Sequence, residues 1–91
     1  MALMQGFLYI LFSNKIDKYY VGSTNDLERR LYEHNIGHSV FTKTGVPWSL
    51  VFSKPFDSLE NARKEELRIK KCISRKYIEN YVKSAVEHPD T

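Results

Sequence analysis

The side chains of this sequence best equipped for chemistry are two tyrosines, an arginine, a histidine and a glutamate, each set where a packed core would favour something apolar. Arg30 and His34 stand four residues apart, so on a helix they share a face. At about 100° per residue both fall within roughly 60° of Leu27, which with Leu31 forms the buried stripe. Glu28, Arg29 and Glu33 point away from it, leaving Arg29 as the solvated member of the arginine pair. Glu66 is the sharper anomaly. Ala62, Ile69 and Ile73 define the apolar face of a later helix, and Glu66 projects into its middle while Glu65 lies at its edge. A carboxylate there is costly unless it meets a cation, a metal or several donors. Two readings stand: an internal ion pair, with Arg30 as the candidate, or a metal-binding carboxylate in a cleft between sheet and helices. The tyrosines sharpen the choice. Period-two counting puts Phe7, Tyr9 and Leu11 on one face of a strand, and Tyr20 with Gly22 on one face of the next. Gly22 leaves room for close backbone approach. A core tyrosine usually finds one hydroxyl partner and stops there; two hydroxyls converging near an Arg, a His and a Glu form a polar cluster at one end of a sheet.

The elements that must position these groups follow from the pattern. Residues 7–12 are a β-rich apolar run and 13–18 a polar turn, so a second strand over 19–22 pairs back as an antiparallel hairpin. Asn25 and Glu28 have capping-box spacing, with Asn25 as N-cap, and open a helix to about Asn35 that Gly37 ends. A loop with a basic tip at 42–45, carrying Lys43, precedes a third strand over 48–53, bounded by Pro47 and Pro55. Asp57 and Glu60 make a second capping box for a helix over 58–72. Ser74 caps a last helix through about Lys83, with Tyr77, Tyr81 and Val82 inward, and 84–91 reads as a loose tail. The order ββαβαα predicts a single α+β domain over 1–91: a three-stranded sheet with helices packed on it, its core about residues 6–83.

Ninety-one residues leave no room for a second core. The formal charge of +3 admits an anionic partner without demanding one. Cys72 is the single cysteine, which excludes an intrachain disulfide and a thiolate zinc site and favours a reducing, cytoplasmic setting. The apolar start lacks a basic segment before it and reads as a strand rather than a signal peptide; nothing is long enough to span a membrane. Lys43, Lys64, Arg68, Lys70, Lys71, Arg75 and Lys76 could track a phosphate backbone. Phe41 could stack on a base, Trp48 at a strand start belongs to the core, Cys72 has a packing role only, and His38 and His88 have no partners at metal-ligand spacing.

The tripeptides Phe7-Leu8-Tyr9 and Tyr20-Val21-Gly22, the run STNDLERRL at 23–31, Glu33-His34-Asn35, and Glu66-Leu67-Arg68-Ile69-Lys70 together resemble the GIY-YIG nuclease domain over about residues 6–82. The likeness is greatest to small stand-alone bacterial proteins consisting of little but this domain. The tripeptides vary from the family pattern, but both tyrosines and Gly22 are kept. The resemblance implies an antiparallel three-stranded sheet flanked by helices and a phosphodiester-cleaving site. Tyr9 would activate the attacking water, Tyr20 position Tyr9 or the phosphate, Arg30 neutralise charge on the phosphoryl oxygens, and His34 hydrogen-bond a tyrosine or the phosphate. Glu66 would hold one Mg2+, with Mn2+ as a substitute. Gly22, Lys43, Lys70 and Arg75 are the expected substrate contacts. Tyrosine is a poor base at its ordinary pKa near 10, so the cations Arg30 and the metal are expected to lower it. The implied partner is nucleic acid, DNA before RNA. Larger members carry a separate DNA-binding domain; here selection falls to the domain's own surface, a protein partner or a homodimer. The competing readings are a nucleic-acid-binding module of the same fold with little cleavage, and a protein-interaction domain whose polar cluster is only structural.

Overall fold

The first apolar run forms strand β1 (Gly6–Ser13), which turns back into β2 (Lys18–Thr24). The hairpin is antiparallel, with Tyr9 opposite Gly22 and Leu11 opposite Tyr20. This architecture is that of a computed structural model, which describes residues 5–72 and 75–87. Helix α1 (Leu27–Asn35) follows, capped by Asp26, whose carboxylate accepts from the Arg29 amide. The cap is therefore Asp26 rather than Asn25. Both residue types cap well; the Thr24 hydroxyl, which accepts from the Asp26 amide at 3.1 Å, fixes the start one residue later. Gly37 closes the helix at φ 77°, a left-handed conformation that suits glycine.

Strand β3 (Ser49–Phe56) pairs antiparallel with the other side of β1, giving the order β2-β1-β3. It runs through Pro55, beyond the expected end at residue 53. An edge strand has amides that the sheet does not use, so a proline there costs no ladder bond. The pairing shifts by one residue between Ile10 and Leu11. That bulge lets both Val51 and Phe52 pack toward the same cluster.

Helix α2 (Leu59–Lys71) is capped by Ser58, which accepts from the Asn61 amide, and not by Asp57; Cys72 ends it, exposed rather than packed inward. Helix α3 (Arg75–Glu87) extends past Lys83 into the stretch expected to be loose. No glycine or proline interrupts it before Pro89, so nothing stops it earlier. Ile73, Ser74, His88 and the end of the expected tail lie outside the described residues.

The sheet is the middle of three layers. Leu8, Ile10, Val21 and Ile69 form a cluster joined by Phe52, Phe56, Tyr77, Tyr81 and Val82, which seats α2 and α3. On the opposite face Tyr9, Leu11 and Trp48 pack with Tyr20, Leu27 and Leu31, which seats α1. Leu8, Ile10, Leu11 and Ile69 are fully buried, each contributing about 2 kcal/mol of transfer free energy. The predicted α+β architecture of an antiparallel three-stranded sheet flanked by helices is the observed one. No helix among the described residues is long and apolar enough to cross a membrane.

Candidate active site

On the α1 face, alternation along β1 sends the Tyr9 ring inward beneath the helix. Its register partner is Gly22, and the fit is close: a Cβ at residue 22 would lie 2.5 Å from Tyr9 Cζ and Oη. Gly22 thus makes room for the phenol. From above, α1 brings two groups to the Tyr9 hydroxyl. His34 Nε2 lies 3.0 Å from Tyr9 Oη, and Arg30 Nε donates to the same oxygen at 3.4 Å. Arg30 also donates to Glu33 Oε1 at 3.1 Å and is a third exposed, so one side of its guanidinium faces solvent. Arg29 is largely solvated. Tyr20 stands beside this pair, its ring centroid 6.3 Å from that of Tyr9 and 5.0 Å from that of His34, edge-on to the imidazole.

Burial sets the electrostatics. It pushes the Tyr9 phenol up to about 12, and the hydrogen bond from Arg30 opposes that without reversing it. The expected lowering by cations is therefore outweighed in the protein alone, because a phenolate loses more by leaving water than one guanidinium returns. Burial, helped by the nearby Arg30 charge, drives His34 down to about 4, so the imidazole is neutral at physiological pH. Its Nδ1 lies 2.8 Å from the Thr42 hydroxyl oxygen, and both residues are fully buried. Thr42 is held in turn by Trp48, whose indole Nε1 donates to the Thr42 carbonyl at 2.7 Å. The Asn35 side chain bonds both backbone groups of Trp48, at 3.1 and 2.6 Å.

Glu66 approaches from the other side of the sheet. Helix α2 packs on the opposite face, and Glu66 meets β2, an edge strand, at Ser23, whose hydroxyl donates to Glu66 Oε1 at 2.5 Å. Lys70 Nζ bonds Oε2 at 2.5 Å and lies 5.7 Å from the Tyr20 ring centroid. Glu66 is ion-paired with Lys70, then, and not with Arg30. The two halves of the cluster meet across β2, with Lys70 reaching from the carboxylate to the Tyr20 ring.

The other expected contacts are dispersed. Lys43 is exposed on a single 3-10 turn (Lys43–Gly45) directly after Thr42. Arg75 donates to the Asp17 backbone carbonyl and carboxylate at 2.7 and 2.8 Å and to Glu79 at 3.1 Å. It ties α3 to the β1–β2 turn, over the Tyr19 ring. Thr42 and Ser23 are the polar partners that sequence reasoning did not single out. Ser23 had a signal: it is two residues from Val21, on the strand face that meets the Glu66 helix. Thr42 sits in an aperiodic loop, where no pattern indicates burial.

A hard cation can be accommodated at Glu66. Each carboxylate oxygen offers two lone-pair directions, and the Ser23 and Lys70 bonds use one on each oxygen. Among the described residues no group of three or more His, Cys, Asp or Glu is placed to hold a metal. An ion here would rest on one carboxylate, with water and phosphate oxygens completing its shell. Mg2+ is commonly held in that way.

A phenol gripped by a guanidinium and an imidazole, with a carboxylate at the neighbouring sheet edge, lies in a small α+β domain whose family is that of nuclease-type proteins. The chain belongs to the GIY-YIG family: the model of the GIY-YIG catalytic domain matches residues 5–84. It is similar to a UPF0213 protein of Bacillus velezensis, 36% identical over 77 residues, covering 84% of this chain and 76% of that one. A UPF0213 protein of Streptococcus pyogenes serotype M3 is 34% identical over 94 residues, 97% of this chain and 100% of the other. The solution NMR structure of a UPF0213 protein from Bacillus halodurans resembles it with a TM-score of 0.56 and 32% identity, over 88% of this chain and 84% of that one. The family points to action on nucleic acid, and its nucleases typically depend on a divalent metal.

Proposed function

We propose that this protein is a metal-dependent endonuclease that hydrolyses phosphodiester bonds, DNA before RNA. The observation that carries the reading is the Tyr9 hydroxyl, buried and held between Arg30 Nε and His34 Nε2, with Glu66 fixed across the edge strand by Ser23. Arg30, with its guanidinium partly open to solvent, neutralises charge on the phosphoryl oxygens, a task suited to a planar fork of donors. Tyr9, as the phenolate left once its own proton has passed to solvent in the loaded complex, takes the proton of the attacking water. His34 orients that phenol, and Tyr20 packs beside both and positions the phosphate. Glu66 would hold the cation, Mg2+ or Mn2+, which when bound would offset charge on the phosphate and the departing oxygen. Lys70 and Lys43 are left for the backbone of the nucleic acid; we assign Arg75 to its tie with Asp17. A phenol at about 12 in the protein alone is a base only after cationic charge has gathered around it. Proton removal therefore belongs to the loaded complex.

The test is cleavage of labelled single-stranded, duplex and branched DNA and of RNA, with Mg2+ or with EDTA, beside folded Tyr9→Phe and Glu66→Gln. Metal-dependent cutting is expected, reduced about 100-fold or more in each variant. Undiminished cutting by both variants would remove the site assignment. No cutting by folded wild type would leave a nucleic-acid-binding module of this fold.

A further inference from the structure

Thr42 lies outside the set of groups that would touch a phosphate, yet its hydroxyl is fully buried. Among the described residues its one hydrogen-bond partner is His34 Nδ1, 2.8 Å away. We propose that Thr42 is a positioning residue that fixes the direction of the hydrogen bonds at the site, donating to His34 Nδ1 so that His34 Nε2 carries the proton and donates to Tyr9.

The number of protons to be placed fixes the direction. A hydroxyl has one proton to donate, and burying it without an acceptor is unfavourable. The Thr42 backbone carbonyl is already taken by the Trp48 indole and the Gly45 amide, and the loop holds the hydroxyl against the ring. The imidazole, driven down to about 4 by burial, carries one N–H between its two nitrogens. If that N–H sat on Nδ1 it would face the Thr42 oxygen, and the Thr42 proton would have nowhere to go. With the proton on Nε2 both donors on this side of the ring are matched, Thr42 O–H to Nδ1 and Nε2–H to Tyr9 Oη. The proton left without a protein acceptor is then that of Tyr9, which stands beside the part-exposed Arg30 rather than inside the loop.

The consequence reaches Tyr9. Its oxygen then receives two N–H donors, from His34 and from Arg30, and neither neighbour accepts its proton. The phenol proton is then left for water or a bound phosphate to accept. Two converging donors also stabilise the oxygen once that proton leaves. His34 acts here as a donor that readies the Tyr9 oxygen, and not as a base that takes the Tyr9 proton. The bearing on cleavage rests on the nuclease reading; the hydrogen-bond direction does not.

The experiment is ¹⁵N NMR of the imidazoles at neutral pH in the full chain. The His34 signals are assigned by their loss in His34→Gln, and the same measurement is made on Thr42→Ser and Thr42→Val. The expected result is a His34 protonated at Nε2, with Nδ1 unprotonated but hydrogen-bonded, in wild type and in Thr42→Ser. In Thr42→Val the Nδ1 signal should move to the position of a free unprotonated nitrogen. Cleavage should fall by about 100-fold in Thr42→Val, as expected of a misplaced catalytic group, and be largely retained in Thr42→Ser. A wild-type His34 protonated at Nδ1 would overturn the proposal whether or not Thr42→Val folds. So would a folded Thr42→Val with an unchanged Nδ1 signal, or one that cuts like wild type. A wild type that cuts nothing would sink the nuclease reading alone, since the NMR comparison needs no turnover.

Discussion

Among single residues, the tightest constraint falls on the one without a side chain. The Tyr9 phenol occupies the space that a Cβ at position 22 would need, so Gly22→Ala must shift the ring or the edge strand. Overpacking of this kind costs about 1–3 kcal/mol, and a displacement near 1 Å at a reacting group costs about 100-fold in rate. We expect Gly22→Ala to remain folded by circular dichroism and to lose cleavage; a folded variant with wild-type turnover would show that Tyr9 has room the structure does not display. His34 leaves a separate signature in stability. Its folded pKa, about 4, lies below its ordinary 6.5, so the unfolded chain takes up the proton first as pH falls. The stabilisation is complete above about 6.5 and is lost between there and about 4, on the order of 3 kcal/mol. Urea midpoints should fall across that window in wild type and stay nearly flat in His34→Gln. Glu65, held down chiefly by its Arg68 hydrogen bonds, responds at lower pH and does not blur the comparison. Tyr9, Tyr20, Arg30 and His34 could be placed together from strand and helix periodicity. The depth of Tyr9, which decides the direction of its pKa, could not, because depth depends on how α1 seats on the sheet.

At the level of elements, the sequence pattern located each strand and α-helix of the described residues, read the 3-10 turn at Lys43–Gly45 as loop, and misplaced several ends. Each miss has a local cause. Asn25 and Asp26, like Asp57 and Ser58, are neighbouring residues that both favour an N-cap, and only the surrounding hydrogen bonds choose between them. The expected consequence is that Ser58→Ala lowers stability by about 1 kcal/mol, while Asp57→Ala stays within about 0.5 kcal/mol of wild type; thermal melts of the two variants would check it, and the reverse order would return the cap to Asp57. Strand β3 outran Pro55 because that proline lies on an edge, and strand order is not written in a single strand's pattern. Helices α2 and α3 are bound by a polar cluster that joins Glu65, at the edge of the apolar face, and the inward Tyr77 and Tyr81 to Arg68, which the sequence alone leaves free to track a phosphate backbone. Arg68 donates to both Glu65 oxygens at 2.7 Å and to Tyr77 at 2.9 Å. Tyr81 donates to Glu65 at 3.0 Å. That leaves Glu66 as the carboxylate directed at the sheet edge.

For the molecule as a whole, the site depends on layering. The phenol, imidazole and guanidinium lie on one face of the sheet, and the carboxylate comes from the other. The Ser23 bond to Glu66 and the approach of Lys70 to Tyr20 both fall on the edge strand β2, so a nucleic acid meeting both halves would lie against that edge. A strand buried in the centre of a larger sheet would keep the two halves apart, and the open edge is what lets so small a domain bring them together.

Asn35 forms a joint whose consequence is evolutionary. By bonding both backbone groups of Trp48, it binds the end of α1 to the start of β3 irrespective of the path between. The intervening segment is thus held at its base, and its exposed tip, Val40 and Phe41, is free to vary without disturbing the scaffold beneath. Val40→Ser and Phe41→Ser together should leave the melting temperature nearly unchanged, a clear loss showing that the tip is itself part of the framework. A fold pinned in this way offers natural selection an exposed tip at which to try new substrate preferences while Thr42 beneath it stays in place.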